Sequence, residues 1–180
     1  MKVITEAFDV KKRQIILDCQ VSIPSTPLDP NPPLLNIKAI VDTGCTVTSV
    51  SRNIIDQLAI PAPCGTSHSF DGASGEGTCT PYIIDLYLPK GITVKGMRVD
   101  CLDNMKPDML LGMDILLLGD ISISTGGGKG KFSFQVPATH STDFEDEINK
   151  YKKIHLGNIR HGNNMCPCGS GRKWENCHGR

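Results

Sequence analysis

The sequence predicts an all-β main domain, and three features carry that expectation. Apolar residues recur with the period of two that marks a half-buried strand, the apolar runs are short, and Pro, Gly, Asp or Asn bounds most of them. There is no internal repeat, and helical stretches ahead of the C-terminal region are only a turn or two long. With 180 residues, 39% of them apolar, the chain can bury one moderate core plus a small appendage.

In chain order, residues 1–12 give no clear pattern. Ile15, Leu17, Cys19, Val21 and Ile23 then fall on one side of a strand over residues 13–23. Five prolines between Pro24 and Pro33 remove donors and fix φ, so this stretch reads as a long exposed loop. Residues 35–41 return to strand character, and residues 46–50 are β-prone. Ser51 opens a short helix over residues 52–58, stopped by Pro61. Between Thr66 and Thr80, the glycine-rich run from Phe70 to Gly77 reads as a mobile hairpin tip. Residues 82–88 form a strong strand, turned by Pro89-Lys90-Gly91 into residues 92–102. After a polar turn over 103–107 comes the buried run Met109-Leu110-Leu111, then one or two helical turns over 114–118 ended by Gly119. Residues 120–123 and 131–136 look like closing strands around the Gly126-Gly127-Gly128 turn.

Thr142-Asp143-Phe144-Glu145 is a capping box for a helix running to about His155, acidic at its start and basic at its end. Phe144, Ile148, Tyr151 and Ile154 would form its apolar stripe, and residues 157–164 read as a linker. The organisation expected is therefore a β domain over residues 1–138, a helix and linker over 139–164, and a C-terminal module over 165–180.

Within the β domain, Ala39-Ile40-Val41 delivers Asp42-Thr43-Gly44 to the end of a buried strand, an expensive place for a carboxylate. A lone Asp-Thr-Gly can equally be a surface turn, the Asp capping local N–H groups and the Gly supplying φ > 0. The second apolar run, Met109 to Leu111, ends in Gly112 and leads into Met113-Asp114-Ile115-Leu116.

Together these two stretches resemble the retropepsin-like aspartic proteases, over roughly residues 13–136. The resemblance implies a closed barrel with one short helix and an aspartic endopeptidase of the single-lobe type. It implies Asp42, Thr43 and Gly44 as the catalytic loop, Thr43 tying two such loops together, and Gly72, Ala73, Ser74 and Gly75 as the flap over substrate. In such chemistry one carboxylate activates water while a neighbouring carboxylic acid polarises the peptide carbonyl, the two sharing one proton. The chain has no second Asp-Thr-Gly and no Asp-Ser-Gly, so a pair requires Asp42 from each of two copies of the chain. Cys45 departs from the Ala or Ser more often found after this Gly, and exposure would make it oxidation-sensitive. Asp114 reads as a cap or ion-pair partner of the short helix rather than a second catalytic acid.

At the C-terminus, Cys166, Cys168, Cys177 and His178 place three thiols and one imidazole within thirteen residues, a set suited to tetrahedral zinc. The run from Met165 to Arg180 resembles a SEC-C motif, complete here. Four such ligands leave no open position, so one structural zinc per chain is expected and no cofactor for catalysis. The resemblance implies docking to protein or ribosome-associated partners, with Trp174, Arg172, Lys173 and Arg180 offering an aromatic and basic surface.

The formal charge is zero overall, divided as +6 from Lys150 to Arg180 and −6 before it, so nucleic-acid binding ranks below protein docking. No apolar h-region follows Lys2 and no apolar run is long enough to span a bilayer, which makes a cytoplasmic location without membrane attachment the expectation. In that setting Cys19, Cys45, Cys64, Cys79 and Cys101 read as small buried residues rather than disulfides. Two functions follow from the residues: a homodimeric aspartic endopeptidase acting on protein or peptide substrates, or a binding and adaptor protein that uses the same dimeric scaffold without turnover.

Overall fold

The computed structural model describes residues 1–60, 62–72, 75–156, 165–166 and 170–177. Its elements in chain order are β1 (Lys2–Phe8), β2 (Ile16–Ser22), β3 (Leu35–Val41), β4 (Ser49–Ser51), α1 (Arg52–Gln57), β5 (His68–Gly72), β6 (Gly75–Leu88), β7 (Ile92–Leu102), β8 (Met109–Leu111), α2 (Met113–Leu116), β9 (Asp120–Ser124), β10 (Gly130–Val136) and α3 (Phe144–Leu156). Contacts divide them into two units, Met1–His140 and Ser141–Arg180.

In the first unit, the expected all-β architecture takes the form of a closed barrel. The strand order β2-β3-β8-β4-β7-β6 returns on itself because β6 also pairs with β2, Gln20 facing Tyr87 and Ser22 facing Asp85. Closure leaves these six strands without an open edge in the ring. Two of the pairings are parallel, β3 with β8 and β4 with β7. β5 stands outside the ring and, among the described residues, pairs with β6 alone. A second, three-stranded sheet has the order β1-β10-β9, antiparallel throughout.

Alternation along each strand explains what the barrel encloses. Leu17, Cys19 and Val21 of β2 point inward with Ile37 and Ala39 of β3, Ile84 and Leu86 of β6, and Val99 of β7. Met109, Leu111 and Leu116 continue this core, and Ile4, Phe132 and Phe134 join it from the second sheet. Leu17, Val21, Ile84, Leu86, Met109 and Leu116 are shut off from solvent, each contributing about 1.5–3 kcal/mol of burial.

Several elements differ from the sequence expectation. β1 forms where no pattern was legible; only Ile4 of its seven residues is buried, and its stability comes from pairing with β10, Lys2 opposite Val136 and Phe8 opposite Gly130. Of the β-prone segment over 46–50, only Ser49 and Val50 are strand, within β4, because the preceding residues are drawn toward α2 by hydrogen bonds. β6 runs unbroken from Gly75 to Leu88, joining two expected strands; Pro81 is tolerated within it, opposite Asp100. The proline-rich loop is fastened at its start, the Ser25 N–H and hydroxyl both donating to Asp85 Oδ2. Asp85 is fully buried where the β6–β7 register shifts, and its Oδ1 accepts the Gly96 N–H.

In the second unit, α3 is capped by Asp143 rather than through Thr142. The Asp143 Oδ1 accepts the N–H groups of Glu145 and Asp146, leaving the expected capping box unused. Phe144 and Ile148 of the expected apolar stripe are exposed. Among the described residues, no helix is long and apolar enough to cross a membrane.

Candidate active site

The Asp42 loop is built by two strands distant in sequence. Parallel pairing of β3 with β8 sets Val41 beside Leu111, and the Asp42 N–H donates to the Leu111 carbonyl over 3.0 Å. The chain then leaves the sheet in a tight turn, the Cys45 N–H donating to the Asp42 carbonyl at 3.2 Å. Asp42 is half-buried, and its Oδ1 accepts the Gly44 N–H at 2.9 Å, which fixes the carboxylate against its own turn. Thr43 is exposed at the apex, where a side chain can reach another molecule.

Gly44 is required for a different reason from the left-handed φ expected of it, since its φ lies outside that region. A Cβ there would sit 3.2 Å from Asp42 Oδ1 and press on the carboxylate. Gly112 is the stricter case. A Cβ on it would lie 2.8 Å from the Cys45 carbonyl oxygen and 2.9 Å from the Thr48 nitrogen, so the buried Gly112 lets the loop close onto α2.

That closure is dense in hydrogen bonds. The Met113 N–H donates to the Cys45 carbonyl at 2.8 Å and the Asp114 N–H to the Thr46 carbonyl at 3.2 Å. Buried Thr48 donates from its hydroxyl to Asp114 Oδ1 at 2.7 Å and from its N–H to Asp114 Oδ2 at 3.0 Å, while its hydroxyl accepts the Gly112 N–H at 3.0 Å. Asp114 thus clamps the Asp42 loop, and its Oδ1 also accepts the Ile115 N–H at 2.9 Å in the first turn of α2, whose N-cap position is held by Gly112. Sequence reasoning missed Thr48 as a support of the loop, whereas the resemblance had already singled out the run ending in Gly112.

Cys45 is partly buried, and its thiol donates to the Val47 carbonyl at 2.8 Å. Burial pushes that thiol up, against the Ser49 hydroxyl that pulls it the other way, so the reactive thiolate is suppressed. Of the other four cysteines expected to be buried, Cys19, Cys79 and Cys101 are, whereas Cys64 is exposed. Burial drives the Cys19 thiol up to about 12.

The expected flap falls on the β5–β6 hairpin. Gly72 pairs with Gly75 at its end; Ala73 and Ser74 lie outside the described residues. Gly75 has φ +107°, which favours glycine. Phe70 lies across its cross-strand partner Gly77, where a Cβ would meet the ring at 2.6 Å. A cavity of about 830 Å³ opens elsewhere on the barrel wall, lined by Asp18, Gln20, Asn36 and Lys38 among others, and Asp42 is not part of it.

In the C-terminal module, Cys166 is buried and Cys177 half-buried, while Cys168 and His178 lie outside the described residues. Met165 bridges Lys173, the Cys166 N–H donates to the Arg172 carbonyl at 2.6 Å, and the Cys177 N–H donates to the Trp174 carbonyl at 3.1 Å. Gly171, at φ +68°, makes the turn between the two arms.

Residues 35–117 match the family model for the gag-polyprotein putative aspartyl protease, and residues 163–180 match the model for the SEC-C motif. No curated protein matches the chain. Among solved structures, the chain is similar to a retropepsin-like aspartic protease from Rickettsia conorii, at 12% identity and a TM-score of 0.47, over 75% of this chain and 94% of that one. It is also similar to the EIAV protease complexed with the inhibitor HBY-793, at 18% identity and a TM-score of 0.40, over 57% of this chain and 85% of that one. The two family models fall on the same two stretches from which the sequence resemblance was drawn.

Proposed function

We propose that two copies of this chain form an aspartic endopeptidase, with Asp42 of each copy meeting its counterpart on a two-fold axis. The observation that carries the reading is the Asp42 loop itself. It presents one partly buried carboxylate held by the Gly44 N–H, on a loop whose backbone is fixed through Leu111 and Asp114, with Thr43 exposed beside it. The other acid close by, Asp114, is engaged by Thr48 and is unsuited to act as its partner.

In the dimer, one Asp42 carboxylate takes a proton from water as the water oxygen bonds to the scissile carbonyl carbon, and the protonated Asp42 of the other copy donates to the carbonyl oxygen. Collapse of the tetrahedral intermediate restores the carbonyl and breaks the C–N bond, with a proton passing to the departing amine. Two carboxyl groups this close titrate as a unit, because both do not ionise together. The exposed Leu117, Leu118 and Ile123, on the chain leaving α2 and on β9, supply apolar surface for the contact between copies. The β5–β6 hairpin would close over substrate.

Cys166, Cys168, Cys177 and His178 would hold one zinc ion, whose role is to fold a module too small for a core of its own. That module would dock substrates or protein partners.

The test is cleavage of a peptide library by wild type and Asp42→Asn, with and without a pepstatin-type inhibitor, alongside the oligomeric state of both proteins. Cleavage that is inhibited and lost in Asp42→Asn, with the dimer intact, is the expected result. A wild type that is dimeric and cleaves nothing at any pH would turn the assignment to the adaptor function.

A further inference from the structure

On the barrel wall, three side chains from three adjoining strands converge. His68 of β5 and Cys79 of β6 are cross-strand partners, and their Nε2 and Sγ lie 3.2 Å apart. Asp100 of β7 pairs with Pro81, which makes it a diagonal neighbour of Cys79, and its Oδ2 lies 3.4 Å from His68 Nε2. One donor atom from each of the three lies within 4.8 Å of the other two.

We propose that His68 Nε2, Cys79 Sγ and the Asp100 carboxylate form a binding site for a divalent transition-metal ion of the zinc type, separate from the C-terminal module, that fastens the root of the β5–β6 hairpin to the barrel. Donor spacing supports this first. Zinc–sulfur bonds of about 2.3 Å and zinc–nitrogen or zinc–oxygen bonds of about 2.0 Å, opened to the tetrahedral angle, separate donor atoms by about 3.3–3.6 Å. The His68–Asp100 separation of 3.4 Å falls in that range and the His68–Cys79 separation of 3.2 Å just below it, so a small side-chain shift rather than movement of the strands admits the ion.

The second observation is an unmet carboxylate oxygen. Asp100 is 8% exposed, and its Oδ1 is shut from solvent with no hydrogen-bond partner among the described residues. Arg98 Nη2 lies 3.7 Å from it, an ion-pair contact beyond hydrogen-bond length. The Cys79–His68 hydrogen bond and the contacts Asp100 makes with both residues still leave Oδ1 buried without a hydrogen bond, which is costly. A cation held among the three donors offsets the charge of this carboxylate, Oδ2 being the oxygen at ligand spacing and Oδ1 the one without a hydrogen bond.

Donor chemistry selects the ion. A thiolate with an imidazole and one carboxylate suits zinc or cobalt and disfavours magnesium and calcium, which require oxygen ligands. Three protein ligands leave one position for water. The location gives the ion a consequence: among the described residues β5 pairs only with β6, whereas the Asp100 N–H donates to the Thr48 carbonyl and β7 is a barrel strand. An ion across His68 and Asp100 therefore couples the hairpin root to the strand beside the Asp42 loop. The proposal does not rest on proteolysis.

The experiment uses the full chain carrying Cys166→Ser and Cys177→Ser, which disables the C-terminal ligand set. After equilibration with zinc and removal of excess, metal content is measured, and binding of cobalt is followed through its thiolate charge-transfer absorption. The expected result is one equivalent of zinc and a charge-transfer band, both lost on adding His68→Ala, an exposed change that leaves the barrel folded by circular dichroism. Cys79→Ser should abolish the band independently. Absence of metal from the starting variant, or retention of the metal after His68→Ala, would overturn the proposal.

Discussion

Thr48 donates its hydroxyl to Asp114 Oδ1 across 2.7 Å, joining residues that are 66 positions apart in the chain. The same hydroxyl accepts the Gly112 N–H, so one fully buried threonine ties the end of the Asp42 loop to both ends of the Gly112–Asp114 corner. Thr48→Val keeps the shape and removes donor and acceptor together, leaving the Gly112 N–H buried without a partner. The expected loss is about 1–3 kcal/mol, read as a lower urea midpoint at unchanged slope. Cleavage should fall as well, although Asp42 is untouched, and Asp114→Ala should reproduce both effects.

A second prediction concerns Phe70 and Gly77. The ring occupies the space a Cβ on Gly77 would need, at 2.6 Å. Gly77→Ala should therefore displace the ring, at a cost of the order of 0.2–1 kcal/mol for the lost cross-strand pair, and speed amide exchange along β5. In a Phe70→Ala background the same change should cost nothing further. A cycle in which the two changes simply add would show that ring and glycine are not coupled.

Acid sensitivity should centre on Asp85. Burial alone would raise its pKa, but the Gly96 and Ser25 N–H groups, the Ser25 hydroxyl and nearby Lys95 outweigh it and hold the carboxyl below its ordinary range. A depressed folded-state pKa contributes stability that is complete above the unfolded value, about 3.9, and is lost as pH falls through the folded value. The loss should thus begin near pH 4 and progress downward. Asp85→Asn should be less stable than wild type at pH 7, with a flatter decline in stability below pH 4 by thermal or urea unfolding.

If each chain supplies one Asp42, activity per chain should fall on dilution. Leu117→Glu places a charge on an exposed leucine, where a surface change is expected to move the stability of the single chain by no more than about 0.5 kcal/mol. It should lower activity at fixed concentration and shift sedimentation toward the monomer. Constant specific activity down to nanomolar protein, about −12 kcal/mol on the binding scale, would argue against a dissociable dimer.

Much of this was legible from short-range pattern. The alternation from Ile15 to Val21 marked β2 and its buried face, and Leu35 to Val41 marked β3, because each strand carries its burial in its own residue order. Asp42-Thr43-Gly44 and the run ending in Gly112 pointed to one loop and one corner. β1 was not legible: with Ile4 alone buried, its seven residues carry almost no periodic signal, and what holds them is a partner strand that begins at Gly130.

The sequence by itself determined the alternating strands, the Asp42 turn and the donor set at the C-terminus, since each depends on residues a few positions apart. Tertiary structure decided which distant groups meet: Thr48 with Asp114, Phe70 over Gly77, Asp85 with Ser25, and Asp100 with His68 and Cys79. The physical reason is register. Closing the barrel through β2 and β6 fixes how far each strand slides along its neighbour, and a shift of one residue would turn Cys79 and Asp85 of β6 or Asp100 of β7 to the opposite face.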